Sequence, residues 1–160
     1  MKNYQDALND YNKAMKWRPM DAMLVYERAD IKMYLTDYNG AIADFLAAKK
    51  LEPESMDDSW NKCALMKIRL GDYVGSLYFF EKAHEMEGYI DFDDCIYLLS
   101  DYVPTPITPE SSKIIREKLR TMSEETLVFI SKVKYLPLDF KNLIDTVIIS
   151  RGIDWNDDDD

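Results

Sequence analysis

Residues 21–53 read DAMLVYERADIKMYLTDYNGAIADFLAAKKLEP, and this stretch decides the fold. Its apolar residues recur at helical spacing, which predicts two amphipathic helices. Thr36-Asp37-Tyr38 forms the predicted turn between them, and Asp21 is a suitable N-cap for the first helix. Pro53 ends the second helix, because proline cannot continue the helical hydrogen-bond pattern. The stretch therefore predicts a helical hairpin.

The second half of this hairpin recurs on both sides of it. Four pairs of positions are separated by 34 residues, namely Ala7/Ala41, Tyr11/Phe45, Ala14/Ala48 and Pro19/Pro53. A third copy follows at an offset of 35, with Ser76, Phe80 and Ala83, and with Gly88 where the proline would fall. Small residues at fixed positions let two helices approach closely, since larger side chains there would overpack the contact. Hairpins that repeat in this way bury their apolar stripes by stacking on one another.

The repeated strings resemble the second-helix signature of the tetratricopeptide repeat family over about residues 2–88. The strings are Tyr4-Ala7-Tyr11-Ala14, Tyr38-Ala41-Phe45-Ala48 and Tyr73-Ser76-Phe80-Ala83. The first-helix signature departs from the family pattern. Tyr26 and Trp60 occupy its aromatic position, whereas Ala29 and Cys63 replace its glycine.

This resemblance implies an all-α fold, a right-handed α-solenoid of antiparallel helix pairs with additional C-terminal helices. We expect the repeats and a capping helix over residues 1–103, and a C-terminal helical segment over residues 104–153. Thr108-Pro109-Glu110 has the residue order of a helix start and predicts the first of three C-terminal helices. Residues 154–160 form an expected acidic tail.

The charge of the chain limits its partners. The net charge is −10, made up of −7 over residues 1–104, +2 over residues 105–153 and −5 over the last seven residues. Such a surface repels phosphate backbones, so we expect no nucleic-acid partner. Basic peptides or basic protein faces are instead steered toward it.

The number of cysteines and the length of the apolar runs indicate the compartment and whether the chain spans a membrane. Cys63 and Cys95 are too few for a disulfide framework, which favours a reducing, cytoplasmic location. No apolar run approaches the roughly 18 residues of a transmembrane helix, so we expect no membrane span. The N-terminus has no apolar core of signal-peptide type.

The sequence offers little for catalysis or metal binding. His84 is the only histidine, and no nucleophile signature accompanies it. Asp91, Asp93 and Asp94 resemble the start of a calcium loop but lack its glycine and distal glutamate, and an acidic first turn of a helix explains them equally. No glycine-rich phosphate loop is present. We therefore expect no enzyme activity, no cofactor and no metal.

A binding role is what the family resemblance implies. In tetratricopeptide proteins the first helix of each pair lines a concave groove. Carried onto this chain, that groove would be lined by Met23, Tyr26, Glu27 and Asp30 from one helix and by Trp60 and Asn61 from the next. Aromatic anchors with an acidic surround suit a basic or amphipathic peptide.

Other roles remain open at this stage. Some family members hold a chaperone's C-terminal carboxylate in a basic clamp, but Glu27 and Asp58 stand at clamp positions here and only Lys62 fits. Small acidic family members also serve as secretion chaperones. A self-assembling structural or adaptor protein without a groove ligand is the rival class.

Self-association is predicted from the first repeat. Tyr4, Ala7 and Tyr11 correspond to residues that face a preceding helix in the second repeat, but only three residues precede Tyr4. We expect this face to be covered, either by a second copy of the chain or by the C-terminal helices folding back. A symmetric homodimer is the simpler arrangement.

Overall fold

The regular structure is entirely helical in the parts of the chain that the computed structural model describes, residues 3–54, 58–87, 97–100 and 103–154. Nine helices lie in these ranges. They are α1 (Tyr4–Trp17), α2 (Ala22–Tyr34), α3 (Tyr38–Leu51), α4 (Ser59–Arg69), α5 (Tyr73–Glu87), α6 (Tyr97–Ser100), α7 (Pro109–Thr121), α8 (Glu124–Ser131) and α9 (Leu138–Arg151). This confirms the predicted all-α class.

Helices α2 and α3 form the predicted hairpin. The Asp21 carboxylate caps α2 by accepting from Leu24 N at 3.0 Å, and Asp37 caps α3 by accepting from Gly40 N at 3.0 Å. Between them Thr36 adopts a left-handed backbone, φ 62°, which reverses the chain. The two helices are then held by Asp44 of α3, which contacts both Arg28 and Lys32 at 2.7 Å.

Helices α4 and α5 repeat this design with a glycine at the turn. Gly71 has φ 72°, and Asp72 caps α5 by accepting from Gly75 N at 2.8 Å. From the sequence, Ser55 is a suitable N-cap for α4, with Met56 as its first residue. The helix begins at Ser59, and residues 55–57 lie outside the described part of the chain.

Helix α7 begins where Thr108-Pro109-Glu110 predicts, at Pro109. Thr108 Oγ1 accepts from Ser111 N at 3.2 Å, with Pro109 in the first turn of α7, and Ser123 caps α8 in the same way. The sequence pattern after Ser123 predicts a helix to about Tyr135, but α8 ends at Ser131. Tyr135 has φ 62°, a left-handed conformation that is incompatible with continuing the helix into Pro137.

The C-terminal helices pack against α5 and against one another. Tyr73, the first residue of α5, donates from its hydroxyl to Thr105 O at 2.7 Å, and its ring lies 4.9 Å from that of Phe140. One continuous cluster of buried apolar side chains extends from Ala29 in α2 to Ile153 beyond α9. Burial of these side chains is the main stabilising contribution to the fold.

Several predicted features lie outside the described residues. These are the helix stop at Gly88, the capping helix before Tyr97, Cys95 and the acidic tail from Trp155 onward. In the segments that are described, no helix combines the length and the apolar character needed to cross a membrane.

Candidate functional site

Lys62 of α4 is the centre of a cluster of charged and aromatic side chains between α2 and α4. Its Nζ donates to Asp30 Oδ1 at 2.8 Å and to the Tyr26 hydroxyl at 2.7 Å, and it lies 2.8 Å from Asp58 Oδ2. The Tyr26 hydroxyl in turn donates to Asp58 Oδ1 at 2.5 Å. The lysine side chain is only 10% exposed, so its charge is directed inward.

Aromatic rings surround the same ammonium group. Lys62 Nζ lies 4.8 Å from the ring centroid of Tyr26 and 5.3 Å from that of Phe45, within the range of cation–π attraction. The two rings meet edge to face, with centroids 5.2 Å apart. Helices α2, α3 and α4 therefore all contribute to holding this one cation.

The repeat spacing explains why these residues meet. Asp58 lies 32 positions after Tyr26, and Lys62 lies 32 positions after Asp30 and 36 after Tyr26. These offsets bracket the 34-residue period, so α2 and α4 run side by side in the same direction. Asp58 and Lys62 were not among the predicted binding residues, but the period was a signal that could have placed them opposite Tyr26 and Asp30.

The pKa values of Lys62, Asp30 and Tyr26 are shifted because these groups are partly buried together and share one ammonium group. Burial would lower the pKa of Lys62, but its bonds to Asp30, Asp58 and Tyr26 outweigh burial and raise that pKa. Burial raises the pKa of Asp30, and the bond to Lys62 only partly opposes this, because Asp58 and Glu27 lie nearby. Burial and the bond to Asp58 also raise the pKa of Tyr26.

Four of the six predicted groove residues lie on one accessible strip of α2. Met23 is 54% exposed, while Tyr26, Glu27 and Asp30 are partly buried. We call these four residues, together with Asp58 of α4, the α2 surface. Its carboxylates Glu27, Asp30 and Asp58 outnumber the single ammonium of Lys62, so the surface is negatively charged.

Of the remaining two predicted residues, Asn61 is corrected by the structure, whereas Trp60 stays a prediction. Asn61 is fully buried, and neither its amide oxygen nor its nitrogen has a hydrogen-bond partner in the structure, so it does not line an accessible surface. Trp60 is partly buried and packs on Phe79 of α5, with ring centroids 6.1 Å apart. Asn61 is buried because its side of α4 faces the hairpin partner α5 and the core.

The residues predicted for self-association face α2. Tyr4 stacks on Tyr34 with ring centroids 4.8 Å apart and planes within 10°. The Tyr11 hydroxyl is paired with the Glu27 carboxylate; desolvation and this neighbouring negative charge raise the pKa of Tyr11. Ala7 is partly buried on the same helix. The two tyrosines are therefore already engaged within the chain.

His84 and Cys63, the side chains considered for catalysis or metal binding, lie in packed parts of the fold. The His84 ring lies 5.4 Å from that of Phe129, which joins α5 to α8. Cys63 is fully buried, and desolvation raises the pKa of its thiol. Within the described ranges no group of three His, Cys, Asp or Glu side chains could hold a metal ion, and Asp91, Asp93 and Asp94 lie outside those ranges.

A shallow cleft of about 290 Å³ lies elsewhere, between the start of α7 and α9. It is lined by Ile107, Thr108, Pro109, Ser112, Asp139, Asn142 and Leu143. None of these residues belongs to the α2 surface. The cleft is open to solvent.

Comparison with known proteins does not assign the chain to a family. No protein-family model matches it, and no curated protein is significantly similar to it.

Proposed function

We propose that this chain is a non-catalytic interaction module that binds a basic, amphipathic peptide or protein segment on the α2 surface. The observation that supports this most is the exposed apolar side chain of Met23 on the same strip of α2 as Glu27 and Asp30, one and two turns further along, with Asp58 of α4 beside Tyr26. The counter-charge within the cluster, Lys62, is directed inward and leaves the surface acidic.

The proposal includes a tetratricopeptide-like arrangement of helices α1 to α5. It is supported by the packing of α2 on α3 and of α4 on α5. It is also supported by the side-chain bonds from Tyr26 and Asp30 of α2 to Asp58 and Lys62, whose equal offsets of 32 residues indicate that α2 and α4 run in the same direction. In a right-handed solenoid of such pairs, α2 and α4 would be the first helices that line the concave side. The α2 surface would then lie inside that groove.

The chemistry of the α2 surface favours a cation with an apolar neighbour. A lysine or arginine of the partner would pair with Glu27 and with the outward sides of Asp30 and Asp58, whose side chains are 27% and 39% exposed. An apolar residue one helical turn away would cover Met23, whose flexible thioether adapts to different shapes. This combination is typical of an amphipathic helix.

An acidic ligand is disfavoured at the same place. The clamp of related architectures would need Lys62 free to bind a carboxylate, but its three donor contacts are taken by Asp30, Asp58 and Tyr26. A partner carboxylate would also meet three negative charges. The acidic groove is compatible with a secretion-type chaperone that holds a basic segment, which is a narrower form of the same proposal.

The test uses two fluorescein-labelled peptides of equal length, one of leucine and lysine and one of leucine and glutamate. Fluorescence anisotropy should show binding of the lysine peptide only. Its affinity should fall as salt rises, because exposed charge pairs are screened over about 10 Å at 0.1 M ionic strength. The variant Met23→Ala/Glu27→Lys should weaken binding about tenfold, as expected from losing one apolar anchor and one charge pair.

A matched control separates this site from the general negative charge of the chain. Glu110→Lys/Ile114→Ala makes the same charge reversal and a comparable apolar truncation, four residues apart on α7, where both side chains are exposed. This control should bind the lysine peptide as the unmodified chain does. Equal weakening by both variants, or equal binding of both peptides, would show that the attraction is nonspecific and would overturn the proposal.

A further inference from the structure

Helix α7 carries a strip of exposed cations that have no carboxylate partner in the described part of the chain. Lys113, Arg116 and Arg120 are all exposed, and no ion pair or side-chain hydrogen bond joins any of them to another described residue. The fourth cation of the helix differs, because Lys118 pairs with Glu81 of α5 at 2.7 Å. We call Lys113, Arg116 and Arg120 the α7 strip.

The three cations of the α7 strip share one face of the helix. At about 100° per residue they lie within about 60° of one another around the helix axis, and the strip is about 10.5 Å long. Glu117 is exposed beside them, so three cations against one carboxylate leave this face positively charged. Because α7 is already folded, docking the strip on a carboxylate-rich surface needs no ordering of its backbone.

The α2 surface has the same spacing as the α7 strip and the opposite charge. Met23, Glu27 and Asp30 follow one another at intervals of four and three residues, and they too lie within about 60° around the axis and extend over about 10.5 Å. Read from its C-terminal end, the α7 strip also has intervals of four and then three residues. The two sets therefore match when the helices run antiparallel.

Antiparallel docking of α7 on α2 brings opposite charges together. Arg116 then faces Glu27, and Lys113 faces Asp30, whose side chain is 27% exposed and partly available beyond its bond to Lys62. The third cation of the strip has a long aliphatic stem, and this stem covers the exposed thioether at the N-terminal end of the α2 surface. All positions of the strip therefore have a partner on the α2 surface.

A second copy of the chain has to supply this α7. Within one chain α7 packs on α5 and α9, and no extensive contact joins it to α2 or α4. Pairing two α2 surfaces, or two α7 strips, would place like charges together, whereas one of each attract. We propose that the α7 strip of one copy docks on the α2 surface of the next, so that the chain assembles head to tail. This inference rests on the proposed function, because it names a partner for the same surface.

The type and size of the contact set the expected behaviour in solution. The interface is heterologous, so each docked copy leaves one α2 surface and one α7 strip free at the two ends, and assemblies grow with concentration. A single helix pair buries less than the roughly 800 Å² per partner of a standard interface. We therefore expect a weak dissociation constant, on the order of several hundred micromolar, that rises further with salt.

Sedimentation velocity from about 20 µM to 1 mM tests the assembly with two variants, one for each surface. The sedimentation coefficient of the unmodified chain should rise across this range. Lys113→Gln/Arg116→Gln on α7 and Met23→Ala/Glu27→Lys on α2 should each raise the dissociation constant at least about tenfold. An equimolar mixture of the two variants should form dimers with one copy of each and nothing larger, because only one intact interface is then available.

Controls separate this result from net charge, folding and peptide binding. Lys16→Gln/Lys50→Gln removes two exposed lysines from α1 and α3 and should assemble as the unmodified chain does. Circular dichroism should show unchanged helix content in every variant, and the α7 variant should still bind the leucine–lysine peptide.

Three outcomes would overturn the head-to-tail arrangement: an unmodified chain that stays monomeric, assembly that the α7 variant leaves unchanged, or folded variants whose mixture forms no dimers. If the leucine–lysine peptide still binds in any of these cases, the proposal for the α2 surface stands without this one. Loss of both peptide binding and assembly in the unmodified chain would overturn both.

Discussion

Lys62 is the residue on which the contact between α2 and α4 depends most. It bonds to Tyr26 and Asp30, which lie about one repeat earlier, and to Asp58, which lies one turn earlier, and it lies against two aromatic rings. Placing one cation among three oxygen ligands satisfies groups that would otherwise be costly to bury. Its position also decides the sign of the α2 surface.

Replacing Lys62 with methionine should destabilise the fold by about 2 kcal/mol. The side chain keeps its length and apolar stem, but Asp30, Asp58 and Tyr26 lose their common partner. Urea denaturation followed by circular dichroism measures the change. Lys50→Met, an exposed lysine on α3, is the control and should stay within about 0.5 kcal/mol of the unmodified chain. Equal destabilisation by Lys62→Met and Lys50→Met would show that the buried contacts of Lys62 do not stabilise the fold.

Lys62 also makes the stability of the fold depend on pH, and the direction of this dependence follows from its raised pKa. The pKa of Lys62 is raised above its ordinary value of 10.5, so folding favours its charged form. Its contribution to stability is therefore complete below pH 10.5 and is lost as pH rises further. Tyr26 has the same sign, because its raised pKa favours the neutral phenol in the folded state. The stability difference between the unmodified chain and Lys62→Met should shrink above that pH.

Residue roles could be predicted from the sequence only where local pattern decides them. The acidic and aromatic character of Tyr26, Glu27 and Asp30 is visible in the sequence, and the structure leaves those side chains accessible in part. The burial of Asn61 was not predictable in this way. It depends on which side of α4 is covered by other elements, and a polar residue in one helix carries no such information.

At the level of elements, the turns explain why the helix boundaries were predictable. Thr36 and Gly71 lie at matching positions of the two hairpins, and both have a left-handed backbone. Aspartates follow both and cap the next helix. Such turn and capping signals act within a few residues, so the sequence alone is sufficient to predict where these helices begin and end. The end of α8 lacks such a signal, since residues 132–135 are compatible with a helix in sequence although α8 ends at Ser131.

Close approach of α2 and α3 at Ala41 provides a test at this scale. Ala41 is fully buried, and Ala43 on the same helix is exposed. Ala41→Leu should destabilise by about 1–3 kcal/mol because the added methylenes overpack the contact. Ala43→Leu adds the same atoms to the same helix facing solvent and should change stability little. Thermal unfolding of the two variants makes the comparison, and equal melting temperatures would show that the contact lies elsewhere.

For the whole molecule, the repeat predicted the first part better than the last. The three C-terminal helices were expected, but their packing on α5 through Tyr73, Phe129 and Phe140 was not derivable. No period relates residues 103–154 to the repeats, so sequence spacing cannot say which side of α5 they cover. Tertiary contacts of that kind depend on surface shape.

The charge of the molecule connects this packing to its proposed role. The C-terminal segment carries a small positive excess, and the repeats carry most of the negative charge. Because α7 and α8 occupy α5, they leave α2 and its acidic residues accessible from the other end of the helix array. A basic partner would therefore be attracted to the repeats rather than to the C-terminal helices.

The most direct test of the central claim is a nuclear magnetic resonance titration of the ¹⁵N-labelled chain with the leucine–lysine peptide. We expect the largest amide shift changes in residues 23–30 of α2 and 58–62 of α4, and little change in α7 to α9. Met23→Ala/Glu27→Lys should reduce those changes at the same peptide concentration. Shift changes centred on the C-terminal helices, or scattered evenly over all acidic residues, would contradict a binding site on the α2 surface.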